Sequence, residues 1–209
     1  MREMTWWGLL LSIVLFAGCN SVSMDATKRA DLQHVSISKS VSVPSEPYFT
    51  GRADAWGAGM GGAVGAAIAA SVKAGNPGQQ ISYFLKQQQI DVGSIVRAAF
   101  VHGLESDPKW SRLIRDDGDA YFDLKVNLYG LASTPNPFSS DYKPMLSVTA
   151  SLIDKNGNVL WRATDFVATL NSATPVATYA AFLSEPTLLR DGFAAAAAEI
   201  TRTLLTKMN

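Results

Sequence analysis

Apolar and polar residues alternate along two neighbouring stretches of the chain, which is the pattern of strands that bury one face. Ala120–Leu131 carries apolar residues at its even positions as far as Leu128, and Leu146–Leu152 repeats the pattern. Asp154–Asn158 contains the pair Asn-Gly and leads into a third alternating stretch, Val159–Leu170, with Val159, Trp161 and Ala163 on one side. Asn-Gly between two such stretches predicts a β-hairpin, so the centre of the fold is expected to be antiparallel.

An earlier stretch, His34–Val43, also alternates, with valine and isoleucine at most odd positions and serine at the even ones. Lys39 interrupts the apolar side, and this indicates either an edge strand or an irregular centre of the strand. Pro44 and Pro47 end the run, because proline has no N–H for a strand ladder.

Two stretches show the three-to-four residue spacing of amphipathic helices. Gly93–Leu104 is one, with Asp91 as a candidate N-cap and an alternative earlier start through Gln79–Gln89. Thr187–Met208 is the other. Strands with one apolar face need a cover that two such helices supply. The predicted fold is therefore α+β, a two-layer sandwich of a mainly antiparallel sheet with two helices on one face.

The first eighteen residues are typical of a secretory signal. Arg2 lies near the start, an apolar run follows from Trp6 to Phe16, and the small residues Ala17 and Gly18 come next. The apolar run is shorter than the roughly 20 residues that a membrane-spanning helix needs.

The segment Leu15-Phe16-Ala17-Gly18-Cys19 resembles the lipobox of bacterial lipoproteins, although Phe16 stands where that family usually has leucine. The resemblance implies that the thiol of Cys19 receives a diacylglycerol, that the signal is cut before it, and that further acylation with a chain such as palmitate follows. Several acyl chains give lasting membrane attachment. Asn20, which is not aspartate, implies the outer membrane, with the domain facing the periplasm. The alternative is an ordinary signal with an incidental cysteine.

The 209 residues therefore divide into three parts. Residues 1–18 are the expected signal peptide, and 19–31 a flexible tether from lipidated Cys19. Residues 32–209 are expected to form a single periplasmic domain with a Gly/Ala-rich insertion at about 51–78. Since Cys19 is the only cysteine, an internal disulfide is excluded.

Small residues recur every four positions in the insertion, at Gly57, Gly61, Gly65 and Ala69, and Trp56–Val72 has no charged residue. Such spacing creates a flat helix face that another helix can approach closely. Three interpretations stay open. The segment self-associates or enters a bilayer as a glycine zipper, it packs tightly within the domain, or it is an irregular connection.

Overall charge argues against nucleic acid as a partner, because 18 basic residues balance 18 acidic ones. Gly57-x-Gly59-x-x-Gly62 matches a dinucleotide fingerprint only in spelling, because no buried strand precedes it. No cofactor is therefore expected.

Candidate catalytic and metal-binding chemistry is sparse. The two histidines, His34 and His102, have no nucleophile or carboxylate beside them in sequence. Asp116–Asp119 is interpreted as a solvated turn, and Asp154–Asn158 as a hairpin turn that only mimics the start of a calcium loop. We expect no catalytic residue, no metal site and no enzyme.

Three aromatic residues are the candidate binding surface. Tyr121 and Tyr129 lie on the predicted polar side of their strand, and Trp110 lies in a turn region. Aromatic side chains are favoured at binding surfaces because they bury a large area at little entropic cost. The alternative is that a loop or second layer covers them.

Two functions follow from these expectations. The first is a non-catalytic interaction or assembly component of the cell envelope, with a protein partner or a second copy bound. The alternative is a periplasmic carrier or receptor for an apolar ligand such as a lipid, as an auxiliary part of an envelope transport system. The order of elements, with Gly157–Trp161 in the return strand, is similar to small periplasmic lipoprotein domains of such systems. That similarity lies at the level of fold alone.

Overall fold

The computed structural model describes residues 21–51, 76–136, 138–171 and 173–208. The signal peptide and Cys19 lie outside these residues, as do Gly57, Gly61, Gly65 and Ala69. What was inferred for them from the sequence stays a prediction.

Three long antiparallel strands form the centre of the sheet, as predicted. Numbered in chain order after two short strands, they are β3 (Ala120–Ser133), β4 (Asp141–Asp154) and β5 (Val159–Val167). The second of these strands begins before Leu146, where the alternating stretch of the sequence starts. β4 begins at Asp141, and Pro144 pairs with Leu131 of β3 inside the sheet.

The β4–β5 hairpin is confirmed, and the side chain of Asp154 organises its turn. The carboxylate of Asp154 accepts hydrogen bonds from the backbone N–H groups of Asn156 and Asn158, each 2.8 Å long, and from the Asn158 amide at 2.9 Å. These bonds, with the Asn158 side chain first, lower the pKa of Asp154. Gly157 takes the positive φ of 86° that this turn requires.

The first two strands, β1 (Val35–Ile37) and β2 (Tyr48–Thr50), run parallel to β3 along one edge. Val35 pairs with Ala120 and Thr50 with Ala132. The edge chain therefore advances by fifteen residues between these two pairs, whereas β3 advances by twelve. The mismatch breaks the edge strand, and the predicted continuous strand His34–Val43 is therefore too long. The predicted edge position is confirmed, and the sheet as a whole is mixed, with β6 (Ala177–Thr178) pairing with β4.

Five helices occur among the described residues: α1 (Ala26–Ala30), α2 (Pro77–Gln87), α3 (Val92–Ser106), α4 (Tyr179–Ser184) and α5 (Pro186–Met208). α3 and α5 match the two predicted helices and pack against each other over one face of the sheet. α2 is separate from α3, since Gln89 takes a positive φ of 52° between them. Asp91 caps α3, as expected.

The core lies between this sheet face and the helices. Phe122 of β3 is at its centre, with the ring of Phe100 5.1 Å away and that of Trp161 6.4 Å away, both edge-on. Every one of these side chains is fully buried. Within the described residues, no helix is long and apolar enough to cross a membrane.

A β-bulge changes the direction of the side chains halfway along β3. Val126 pairs with Val148, but Leu128 pairs with Ser147, so one residue of β3 is extra at this point. Before the bulge the even positions face the helices, and after it Tyr129 and Leu131 do. A one-residue insertion reverses the face of every side chain that follows.

Candidate functional site: the open sheet face and the edge of β5

The three aromatic candidates do not share a surface. Trp110 is 2% exposed and packs edge-on against Phe122, with ring centroids 5.5 Å apart. Tyr129 is 6% exposed and packs against Phe193 of α5 at 6.2 Å. Tyr121 is 39% exposed on the opposite face of the sheet. The prediction of exposure is wrong for Trp110 and Tyr129, and of the three candidates Tyr121 is the exposed one.

The physical reasons differ for the two buried rings. The bulge turns Tyr129 to the helix side, where burial raises the pKa of its phenol. Trp110 belongs to the turns that follow α3, and these turns fold back over the core, because the backbone N–H of Val35 bonds to Leu113 O. The sequence does hold a signal for the bulge: apolar residues change from even to odd positions between Val126 and Tyr129.

The sheet face opposite the helices, here called the open face, carries a ladder of polar side chains. The amide of Asn127 donates to Thr149 Oγ1 at 2.8 Å, and Thr149 Oγ1 lies 2.7 Å from Thr164 Oγ1. Arg162 Nε donates to Ser151 Oγ at 3.1 Å. These contacts fix hydroxyl and amide groups across three strands. The face therefore suits hydrogen bonding to a partner, with Tyr121 as an apolar contact at one end.

Residues 21–31, expected to be a flexible tether, are ordered against the domain. Val22 forms an antiparallel bridge with Arg162 on the free edge of β5, with both N–H···O bonds 2.9 Å long. Further along, α1 is capped by Asp25, whose pKa is lowered chiefly by the Thr27 hydroxyl. The Arg29 guanidinium donates to Met208 O at the end of α5. The unpaired edge of β5 supplies the partner groups that polar, aperiodic sequence could not reveal.

A second feature is a cavity of about 420 Å³ beside the α2–α3 connection. Its walls include Val43, Leu85, Ile90 and Val92, with the ring of Tyr129 among them. Lys86 and Asp91 also line it and supply charge. An apolar group could contact apolar walls in this cavity.

Another aromatic cluster contacts β2, which precedes residues 52–75, and α2, which follows them. Phe49 stacks on Tyr142 at 5.3 Å, and Tyr179 lies edge-on to Phe49 at 5.4 Å. The Tyr179 hydroxyl donates to Gln80 Oε1 at 3.0 Å and lies 3.3 Å from Pro77 O at the start of α2. Burial, with a smaller contribution from Tyr142, raises the pKa of Tyr179. β2 and α2 are thereby held to one part of the sheet.

Catalytic and metal-binding groups are scattered in the part of the chain that is described. His34 and His102 are both exposed, one before β1 and one on α3. No group of three or more histidine, cysteine, aspartate or glutamate side chains is close enough to hold a metal ion among the described residues.

Comparison with known proteins gave no family model that matches the chain and no match among curated proteins. Solved structures with partial likeness include a putative lipoprotein from Caulobacter crescentus CB15, 16% identical with a TM-score of 0.37, covering 56% of this chain and 80% of that one. The PelC dodecamer from Paraburkholderia phytofirmans is 17% identical with a TM-score of 0.38, covering 92% of this chain and 98% of that one. Protein XCC0632 from Xanthomonas campestris is 14% identical with a TM-score of 0.40, covering 83% and 81%. Likeness at this level supports no statement about activity, partners or assembly.

Proposed function

We propose that this chain is a lipid-anchored lipoprotein of the bacterial outer membrane whose periplasmic domain is a non-catalytic interaction or assembly component. The observation that carries the proposal is the distance along the chain between the lipobox-like cysteine and the folded domain. Cys19 is followed only by Asn20 and Ser21 before Val22 is bonded to β5. A lipid on Cys19 would hold the folded domain against the membrane without an intervening linker.

The interaction role is supported by the open face. Its polar ladder leaves Tyr121 exposed, and aromatic residues beside fixed hydrogen-bonding groups are typical of recognition surfaces. The described residues place no helix on this face. A protein partner or a second copy has room to bind there.

The anchor is tested by replacing Cys19 with serine in the full-length protein, with Ser21→Ala as the matched control. Cells are labelled with a palmitate analogue, and membranes are then separated by density. We expect wild type and Ser21→Ala to carry the label and to sediment with the outer membrane. The Cys19→Ser variant should lose both, because the thiol is the acceptor. Equal membrane attachment without label in all three proteins would contradict the proposal.

The interaction role is tested with a photo-crosslinking amino acid at Tyr121 in the lipidated protein in cells. Arg202 on α5 is the control position, because its side chain is 69% exposed on the helix layer. We expect a discrete adduct of defined mass from position 121 and none from position 202. Adducts from neither position, or equally from both, would contradict a role for the open face.

The alternative function, a carrier or receptor for an apolar ligand, is favoured by one observation, the cavity at Tyr129. About 420 Å³ is within the range of small-ligand sites and suits part of a lipid chain. Native mass spectrometry of the gently extracted protein distinguishes the two functions. A stoichiometric lipid beyond the covalent anchor would support the carrier, and its absence would support the interaction component.

A further inference from the structure

Large apolar side chains are exposed unevenly over the described surface. Six such residues are exposed among the described residues. One of them, Tyr121 of β3, pairs with Ile153 and so lies close to the β4–β5 turn. The other five surround the first half of β4, residues 141–147. We call this surface the apolar half of the sheet: Tyr48, Phe138, Phe166, Leu170 and Val176.

Strand pairing places three of these residues, and Phe138 and Leu170 lie in the loops next to β4 and β5. Phe166 pairs with Ser147, and Tyr48 pairs with Gly130, which faces Met145. Val176 directly precedes β6, which pairs with Asp141 and Tyr142. Phe138 lies in the loop that enters β4. Several large apolar side chains exposed around one half of a sheet indicate a site of contact with a protein or a membrane.

Two of the exposed side chains are held outward by ordered turns. Leu170 is 85% exposed in the turn after β5, and the buried Lys143 ammonium donates to Asn171 O beside it. Phe138 is 96% exposed, and its backbone N–H donates to Asn136 Oδ1 at 3.0 Å. These bonds fix the position of the turns, so the apolar tips are presented on a defined surface.

The direction of the N-terminal chain leads to the same half of the sheet. Val22 is antiparallel to Arg162, so the chain before Val22 runs towards the end of β5, where Phe166 and then Leu170 follow. Cys19 is three residues before Val22, and an extended chain spans at most about 3.6 Å per residue, so the backbone of Cys19 is within ~11 Å of Val22.

The described residues on either side of the Gly/Ala-rich insertion also lie at this half. Thr50 pairs with Ala132, whose partner on β4 is Lys143, and α2 begins at Pro77, whose carbonyl lies 3.3 Å from the Tyr179 hydroxyl. Tyr179 in turn packs on Tyr142 at 5.9 Å. The chain therefore leaves and re-enters the domain beside the apolar half.

We propose that the apolar half of the sheet is the membrane-facing surface of the domain and rests in the interface of the bilayer that holds the Cys19 lipid. The inference rests on the proposed lipid anchor. With the backbone of the anchoring residue within ~11 Å of the β5 edge, the domain has little freedom to turn away. Exposed phenylalanine and leucine at an interface bury apolar area among the headgroups and the first acyl carbons. The opposite end of the sheet, with the β4–β5 turn and Tyr121, then faces away from the membrane.

The orientation is tested with the full-length lipidated protein in vesicles of phosphatidylethanolamine and phosphatidylglycerol. A second cysteine, added as Leu170→Cys or Phe166→Cys, is labelled with an environment-sensitive fluorophore. Lys155→Cys in the β4–β5 turn is the matched control at the far end, and all three side chains are exposed, so folding is not at risk. Lipids carrying a nitroxide near the headgroup act as quenchers.

We expect several-fold stronger quenching and a blue-shifted emission at positions 170 and 166, and neither change at position 155. Attachment to the vesicles without quenching at 170 and 166 would overturn the orientation while leaving the anchor intact. In that case, a crosslink between two copies through position 170 would identify a second copy as the occupant. Absence of lipid label and of attachment would overturn the anchor and the orientation together.

Discussion

At the scale of single residues, the Asp91 carboxylate links the stability of the fold to pH, because it caps α3 through hydrogen bonds to Ser94. Its carboxylate accepts hydrogen bonds from the Ser94 hydroxyl at 2.8 Å and from the Ser94 backbone N–H at 3.2 Å, and so caps α3. The Ser94 hydroxyl is the main reason that the pKa of Asp91 is below its ordinary value. The same residue lines the cavity beside Tyr129, so α3 and one cavity wall depend on one cap.

Replacing Asp91 with alanine should lower the free energy of unfolding at neutral pH by about 1 kcal/mol, the usual value of an N-cap. A carboxyl whose folded-state pKa is depressed stabilises the fold above its unfolded pKa of about 3.9, and this contribution is lost as the pH falls through the folded pKa. We therefore expect the difference in free energy of unfolding between wild type and Asp91→Ala to shrink as the pH falls below about 3.9 and to disappear below the folded-state pKa. Urea unfolding at a series of pH values measures it.

The exposed Asp116 provides the control, as Asp116→Ala in the same titration. A difference between wild type and Asp91→Ala that persists unchanged at acid pH would mean that capping is not the role of this carboxylate.

The sequence predicted that Tyr129 lies in a strand, but it did not correctly predict which face of the sheet carries the side chain. Its presence in a strand followed from alternation alone, but its face depended on a single extra residue in β3. The bulge is set by how β3 and β4 register across their whole length, which no local window contains. The change of apolar parity from Val126 to Leu131 marks it only when both halves of the strand are compared.

At the scale of elements, the contact between α3 and α5 depends on the missing side chain of Gly103. A Cβ built at Gly103 would lie 2.5 Å from Thr201 Cγ2 and 3.1 Å from Leu205 Cδ1. The two helices therefore approach more closely at this point than any larger residue allows. Their separation also sets how both helices lie on the sheet.

The variant Gly103→Ala should be destabilised, although alanine is favoured over glycine in helices by about 1 kcal/mol. Overpacking a core contact costs about 1–3 kcal/mol, which exceeds this gain. Thr201→Ser removes the clashing methyl group, so the double variant should recover much of the loss. Thermal or urea unfolding of the four proteins forms a double-mutant cycle. Independent effects of the two substitutions would contradict direct contact at Gly103.

Elements with strong local patterns were predictable: the three central strands, their hairpin, α3 and α5. Each buries one apolar face at the period of its own secondary structure. The broken edge formed by β1 and β2 was not, because it is defined by pairing with β3, more than eighty residues further along the chain. α1 is equally non-local, since Arg29 reaches the end of α5.

At the scale of the whole molecule, the described domain has two different ends. The apolar half carries Phe138, Phe166 and Leu170 and receives the chain from Cys19, while Tyr121 lies towards the other end of the sheet. In the proposed orientation the sheet has its apolar half at the membrane, and the end of the open face that carries Tyr121 points away from the membrane. A partner in the periplasm can then reach Tyr121 without displacing lipid.

Self-association through the Gly/Ala stretch is the remaining whole-molecule prediction, and the sequence supplies a matched pair of variants. Gly61→Leu puts bulk on the face shared by Gly57, Gly65 and Ala69, whereas Ala67→Leu puts the same bulk on the other side of a helix of this sequence. We expect Gly61→Leu to lower the oligomeric state of the detergent-extracted protein in analytical ultracentrifugation, and Ala67→Leu to leave it unchanged. Glycine faces associate because backbones approach closely, and one leucine side chain prevents that approach. If both variants keep the size of the wild type, the stretch serves as a connection within one chain and does not drive self-association.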